Sequence, residues 1–413
     1  MKAVGIIAEY NPFHNGHAYQ ISEVRRRESP DVVIAAMSGH FTQRGEASVF
    51  TKWQRAQLAL AGGADLVVEL PFVFAVRSAE YFARGGIRLL HELGITHLAF
   101  GTESKQLEPI LTSARAQSHP HLAKDLAPYM TKGLPYAAAL STMLEEKHHI
   151  PSDILSSPNN ILATEYLKAI MRYAPTIEPI HIVRHGSSHH SASLENAMHA
   201  SSSAIRKNIA DIRFRTTELA SYIPPATHPY LTRFYEENGG IPSLERLALF
   251  VFGLLATTDK TRLKNTVGIS EGLENKFLSA SLAATSLEEL LDLVKTKRYP
   301  RTRLSRTLLH YLFGTTQEMV SRFDKIGPQY IRILGMNERG QEYLRTRKKT
   351  MSAPIITKLT PFFNQYDFLS QSDDPLKQML AFDVRSTNLY ARLFSAPLAQ
   401  NQDFTTSPIR YLL

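Results

Sequence analysis

His14-Asn15-Gly16-His17 is the stretch of this chain with the clearest chemical potential. Two imidazoles bracket a glycine. Neutral imidazoles donate hydrogen bonds to phosphate oxygens, and protonated ones also neutralise charge. An apolar run, Ala3–Ala8, precedes them and predicts a buried strand. Asn11-Pro12 then ends regular structure, and a helix is expected from Ala18 to about Arg27. A strand, a glycine-containing turn and a helix start predict an anion site. The first N–H groups of a helix lack intrahelical partners, and its dipole favours negative charge there. A second candidate is Ser201-Ser202-Ser203-Ala204-Ile205-Arg206. Consecutive hydroxyls before an amphipathic helix form a similar nest, with Arg206 one turn in.

The elements that must position these groups alternate. Asp31–Met37, Asp65–Leu70, Thr96–Phe100 and Pro179–Val183 read as further apolar strands, with helical segments at Trp53–Ala61 and Ser78–Leu93 between the first of them. This order predicts a parallel sheet covered by helices, with ligands at the carboxyl ends of its strands. Several strand ends are equipped for that. The second leads into Ser38-Gly39-His40-Phe41-Thr42-Gln43-Arg44-Gly45, expected to wall the site on an acid-substrate side through Ser38, Gly39 and Arg44. Gly101 allows close backbone approach. Arg184 adds a cation at the fifth strand end. The Asn160 amide, behind a Ser/Pro/Asn helix start, is a candidate for an adenine edge.

Composition narrows the chemistry. The chain has 413 residues, 43% hydrophobic and 21% charged, enough apolar content for a folded core rather than a disordered chain. It has no cysteine, which excludes disulfides, thiolate nucleophiles and Cys-ligated zinc. No apolar run approaches the roughly 20 residues of a membrane span. Met1-Lys2 leads straight into the first strand without the pattern of a secretory leader, so a cytoplasmic location is expected. A net charge of +9 points to a polyanionic partner.

That charge concentrates in the second half. From about residue 210 strand alternation fades and helical periodicity dominates. Lys295–Arg306 carries six cations and no acid. Lys297, Arg298, Arg301, Arg303 and Arg306, with Tyr299 interleaved, are expected to contact a nucleic-acid backbone, the tyrosine being placed for base stacking. Two domains are expected, 1–210 and 211–413. The fold class is α/β: a Rossmann-like parallel sheet, followed by a mainly α-helical, basic domain.

His-x-Gly-His after the first strand, with a Ser-Ser-Ser-x-x-Arg segment after the fifth, resembles the nucleotidyltransferase superfamily. Ala8–His17, Ser38–Gly45, Ser157–Asn160, Ser270–Asn275 and Leu334–Asn337 resemble the bacterial tRNA(Met) cytidine acetate ligases over nearly the whole chain. The resemblance implies an enzyme that forms acetyl-adenylate from acetate and ATP. It would then acetylate N4 of the wobble cytidine of elongator tRNA(Met), giving N4-acetylcytidine. By that resemblance, His14, His17 and Arg206 are the catalytic residues. The ATP site takes in Ile7, Glu9, Tyr10, Asn11, Pro12, Phe13, His14, Asn15, Gly16, His17, Gln20, Gly101, Asn160, Arg184, Ser201, Ser202 and Ser203. Mg²⁺ is expected to bridge phosphate oxygens, as is common in phosphoryl chemistry. Two other readings stand beside this one: a small-molecule adenylyltransferase of the same superfamily, and a non-catalytic, nucleotide-regulated RNA-binding protein.

Overall fold

Near-continuous Val, Ile, Leu and Ala runs make strands that are buried on both faces, and these strands form the centre of the molecule. A computed structural model describes residues 1–184, 202–210, 221–370 and 372–412. Among the described residues eight strands make one sheet: β1 (Ala3–Ala8), β2 (Val32–Ser38), β3 (Leu66–Leu70), β4 (His97–Thr102), β5 (Glu178–Val183), β6 (Ile331–Met336), β7 (Ile355–Ile356) and β8 (Ile409–Arg410). The order is β5-β4-β1-β2-β3-β6-β7, with β8 paired to β6. The first five strands are mutually parallel where they pair. Connections run one way from β1 to β3 and the other way from β4 to β5, so the order reverses between β1 and β4. Ligands of open α/β sheets bind at such a switch point.

The expected α/β class and helix-rich second half are both present. The sheet, however, crosses the division expected at residue 210. β6 comes from the second half and lies antiparallel against β3, with Leu66 opposite Met336 and Glu69 opposite Arg332. Asn337 seals this junction. Its Nδ2 donates to Asp65 Oδ1 at 2.8 Å, while its Oδ1 caps the helix Glu338–Arg347 through Gly340 N.

The same junction buries four charges. Lys52 Nζ lies 2.8 Å from both carboxylate oxygens of Glu69 and 2.7 Å from Asp403 Oδ1. Arg332 reaches the same two acids, at 3.5 Å from Glu69 and 2.7 Å from Asp403. None of the four side chains is more than 6% exposed. Alternating cation and carboxylate satisfies charges that would each be costly to bury alone. Neighbouring Asp383 is pushed up to about 8, first by burial and then by the nearby Glu69 charge.

Removing one member leaves its partners under-compensated. Lys52→Met is therefore expected to lower the unfolding free energy by about 3–5 kcal/mol, read from the midpoint and slope of urea denaturation.

Candidate active site

The head of the first helix is built by the two histidines themselves. His14 is the N-cap of the helix Asn15–Glu28. Its Nδ1 accepts a hydrogen bond from Gly16 N at 3.0 Å. His17 Nδ1 accepts from His14 N at 3.3 Å. The two bonds form a reciprocal capping box in which imidazoles replace the usual hydroxyl and carboxylate. A ring nitrogen that accepts an N–H carries no proton, so each neutral ring holds its hydrogen on Nε2. Nε2 of His14 then donates to Ser202 Oγ at 2.9 Å. The rings stack with centroids 3.7 Å apart. Gly16 is required by this packing, because a Cβ there would lie 2.9 Å from His14 Cε1. Burial, then the neighbouring His14 and Arg184, holds His17 well below the ordinary histidine value.

Beside the rings is a cavity of about 340 Å³ at the switch point. Of the expected ATP-site residues, Ile7, Glu9, Tyr10, Asn11, His14, His17, Gln20, Gly101, Arg184, Ser202 and Ser203 line it, as do Arg206 and Arg44. Arg206 is fixed from three sides. It donates to Asn11 O at 2.9 Å and Ser203 Oγ at 3.2 Å, and pairs with Glu46 at 3.3 Å. Arg184 lies over Gly101, its Cγ 3.1 Å from where a Cβ would stand. This is the close approach a glycine permits.

Other expected residues hold the cavity from behind. Phe13 is buried in the core. Asn15 ties the helix to the second half, Nδ2 donating to Ser221 O and N to Tyr222 O, both at 3.0 Å. Pro12 and Gly16 shape the turn without lining the cavity. Ser38 and Gly39, expected on the acid-substrate side, are also absent from the lining; their carbonyls accept from the buried Arg55. Asn160, a candidate for an adenine edge, is buried, and its Oδ1 accepts from Glu103 N at 3.0 Å and Ser104 N at 3.2 Å. This bond joins the end of β4 to the helix Pro158–Tyr173. Ser201 lies outside the described residues.

Ala8, Gln43, Ala79, Phe82, Phe100, Pro158, Asn159, Ile161, Leu162 and Tyr166 also line the cavity. Most are apolar and read as core in the sequence, because an apolar pocket wall and a core face have the same periodicity. Arg55, fully buried and donating to Glu9 O as well, was hidden in an amphipathic helix.

The basic stretch is only partly free. Acids absent from it in sequence reach it from elsewhere: Arg298 pairs with Glu271, and Arg301 with Asp292 at 3.0 Å and Glu288 at 3.2 Å. Arg303 lies over the Tyr299 ring at 4.7 Å. Tyr299 itself is buried, its hydroxyl on Ser270 O, so base stacking by this residue is ruled out. Arg306 points inward, donating to Gln43 O at 3.0 Å, and burial lowers its pKa to about 10. Lys297 is exposed.

The family described as HIGH Nucleotidyl Transferase matches residues 1–405. A tRNA(Met) cytidine acetate ligase of Halothermothrix orenii is 36% identical, covering 96% of each chain. One from Bacillus licheniformis is 38% identical over 100% of this chain and 98% of its own. The chain belongs to the HIGH nucleotidyl transferase family, among the tRNA(Met) cytidine acetate ligases. The crystal structure of Thermotoga maritima TmcAL (apo, form I) is similar to this structure with TM-score 0.91 at 31% identity, over 100% of both chains. A form bound with alpha-thio ATP gives TM-score 0.88 at 32% identity. As a family member this chain is an enzyme, a ligase of the nucleotidyl transferase type. No helix among the described residues is long and apolar enough to cross a membrane.

Unfolded, the His17 ring titrates near 6.5; folded, it stays neutral well below that. Below about pH 6.5 the unfolded chain binds the extra proton, so stability is lost as pH falls. Relative to His17→Gln, wild-type unfolding free energy should drop by up to about 1.4 kcal/mol per pH unit below that point. Urea titrations at pH 7.5, 6.0 and 5.0 would show it, whereas parallel curves for the two proteins would contradict the assignment.

Proposed function

We propose that the protein activates acetate with ATP and transfers the acetyl group to N4 of the wobble cytidine of elongator tRNA(Met), in the cytoplasm. The observation that carries this reading is the convergence of both Nε2-protonated histidines, Ser202, Ser203 and Arg206 on one cavity at the sheet's switch point.

Attack of an acetate oxygen on the α-phosphorus expels pyrophosphate, so negative charge grows on the leaving phosphates. Catalysis of that step is positioning and charge stabilisation. His17 supplies a neutral Nε2 donor to the triphosphate, and His14 acts through Ser202, orienting its hydroxyl from Nε2. Arg206, already aligned by Asn11, Ser203 and Glu46, supplies charge to the leaving group. Arg184 over Gly101 adds a second cation, and Arg44 a third on the acid side. Phe82, Phe100 and Tyr166 offer an apolar wall for the adenine or the acetate methyl. Among the described residues no group of three His, Asp or Glu side chains could hold a metal ion. A Mg²⁺ ion arriving with ATP would supply charge neutralisation on the phosphates. No covalent enzyme intermediate is needed, since the adenylate is itself the activated acyl donor.

The RNA lies against the second half. Lys297 and Arg303 are the best-placed cations, with Arg298 and Arg301 able to exchange their carboxylate partners for phosphates at the rim. Exposed ion pairs are weak enough to permit this.

Incubation with ATP, labelled acetate and tRNA should place label in the RNA. Label transferred only to a metabolite would favour the adenylyltransferase alternative. No turnover would favour a non-catalytic binder. His14→Ala and His17→Ala should abolish labelling while leaving tRNA affinity within about twofold. Lys297→Ala should instead weaken tRNA binding and reduce the slope of log affinity against log salt by about 1, measured by filter binding.

A further inference from the structure

Transfer of acetyl to a cytosine amine requires the loss of a proton. The exocyclic nitrogen is conjugated with the ring, so it is a poor nucleophile until that proton begins to leave. A group in the cavity that can accept it is therefore of consequence.

Most groups lining the cavity are unable to do so. His14 and His17 have each committed Nδ1 to a backbone N–H and carry hydrogen on Nε2. Arg44, Arg184 and Arg206 are donors only. Tyr10 and Tyr166 are held above the usual phenol range by burial. Glu9 is the one carboxylate in the lining among the described residues. It follows β1 directly. Its Oε1 accepts from Gln43 N at 2.6 Å, and no hydrogen bond to Oε2 is present among the described residues.

We propose that Glu9 is the catalytic base of the acyl-transfer step, its Oε2 accepting the N4 proton as the amine attacks the acetyl carbonyl. This rests on the acetate ligase reading above. In the step, the C–N bond forms and the C–O bond to the adenylate phosphate breaks. The electron pair leaves with AMP, and the proton passes to the carboxylate.

The surroundings suit this role. Burial raises the Glu9 pKa above the ordinary carboxylate range, and Glu46 adds to the rise. The Gln43 N–H, Arg206 and Arg44 oppose it. Arg55 donates to the Glu9 carbonyl, and Tyr166 lies within electrostatic range. A base poised in this way is stronger than a solvated carboxylate. Its support also comes from the RNA side. Gln43, which orients Oε1, accepts through its carbonyl from Arg306, on the same helix as the basic stretch. Gly45 packs so closely on that helix that a Cβ would lie 2.6 Å from Arg306 N. The peptide holding the base is thus gripped by the element that faces the RNA.

The test separates two half-reactions in Glu9→Gln, whose amide oxygen can still accept from Gln43 N. Acetate-dependent ATP–pyrophosphate exchange reports adenylate formation. Single-turnover transfer from preloaded acetyl-adenylate to tRNA, from pH 5 to 9, reports the second step. Transfer should fall at least about 100-fold more than exchange, and the acidic limb of the wild-type transfer profile should vanish. Glu9→Asp should keep the limb at a reduced rate. Equal losses in both half-reactions, or a shifted Mg²⁺ requirement alone, would overturn the proposal and place Glu9 with ATP binding. Unchanged transfer would also overturn it, pointing to the adenylate phosphate as the acceptor. Wild-type exchange without any RNA labelling would instead defeat the acetate ligase reading.

Discussion

Two backbone N–H groups at the head of one helix constrain this site. They need acceptors, and the imidazole Nδ1 atoms of His14 and His17 provide them. That requirement selects a tautomer, stacks the rings and aims a donor at Ser202. It also explains the glycine between the histidines, whose missing Cβ is where the His14 ring lies. The geometry of the motif is thus a consequence of how the helix starts. On the proposed reading, the His17 Nε2–H and the Ser202 hydroxyl held by His14 are oriented before the nucleotide arrives, so little reorganisation is needed when charge develops.

A second constraint joins the halves of the chain. β6 completes the sheet beside β3, and the Lys52–Glu69–Arg332–Asp403 cluster closes that joint. Near it, Arg55 gathers the carbonyls of Glu9, Ser38 and Gly39, bringing the loops after β1 and β2 together. The loop after β2 then serves both sides: Gln43 holds Glu9, Glu46 holds Arg206, and Arg306 holds Gln43. On the proposed reading this loop is where an activated acyl group would meet its acceptor.

Much of this was legible in the sequence because it is local. Strand runs, the Asn-Pro stop and the histidine spacing are determined by neighbours in the chain, and the parallel order follows from alternation. What was not legible depends on distant partners. β6 lies among helices in the second half, outside the strand–helix alternation that reveals the first five strands. The acids that pair with Arg298 and Arg301 lie outside the stretch whose lack of acids made it look unpaired. The Glu103 and Ser104 N–H groups that position the Asn160 amide are visible only in three dimensions. Phe82 and Tyr166 likewise belong to pocket wall and core at once.

The central claim is that this cavity cleaves ATP with acetate before any RNA is involved. Acetate-dependent exchange of labelled pyrophosphate into ATP, measured on the wild-type protein without RNA, tests it most directly. The account predicts exchange that needs acetate and proceeds in the absence of tRNA. Exchange that is absent with acetate and ATP, or that appears equally without acetate, would contradict it.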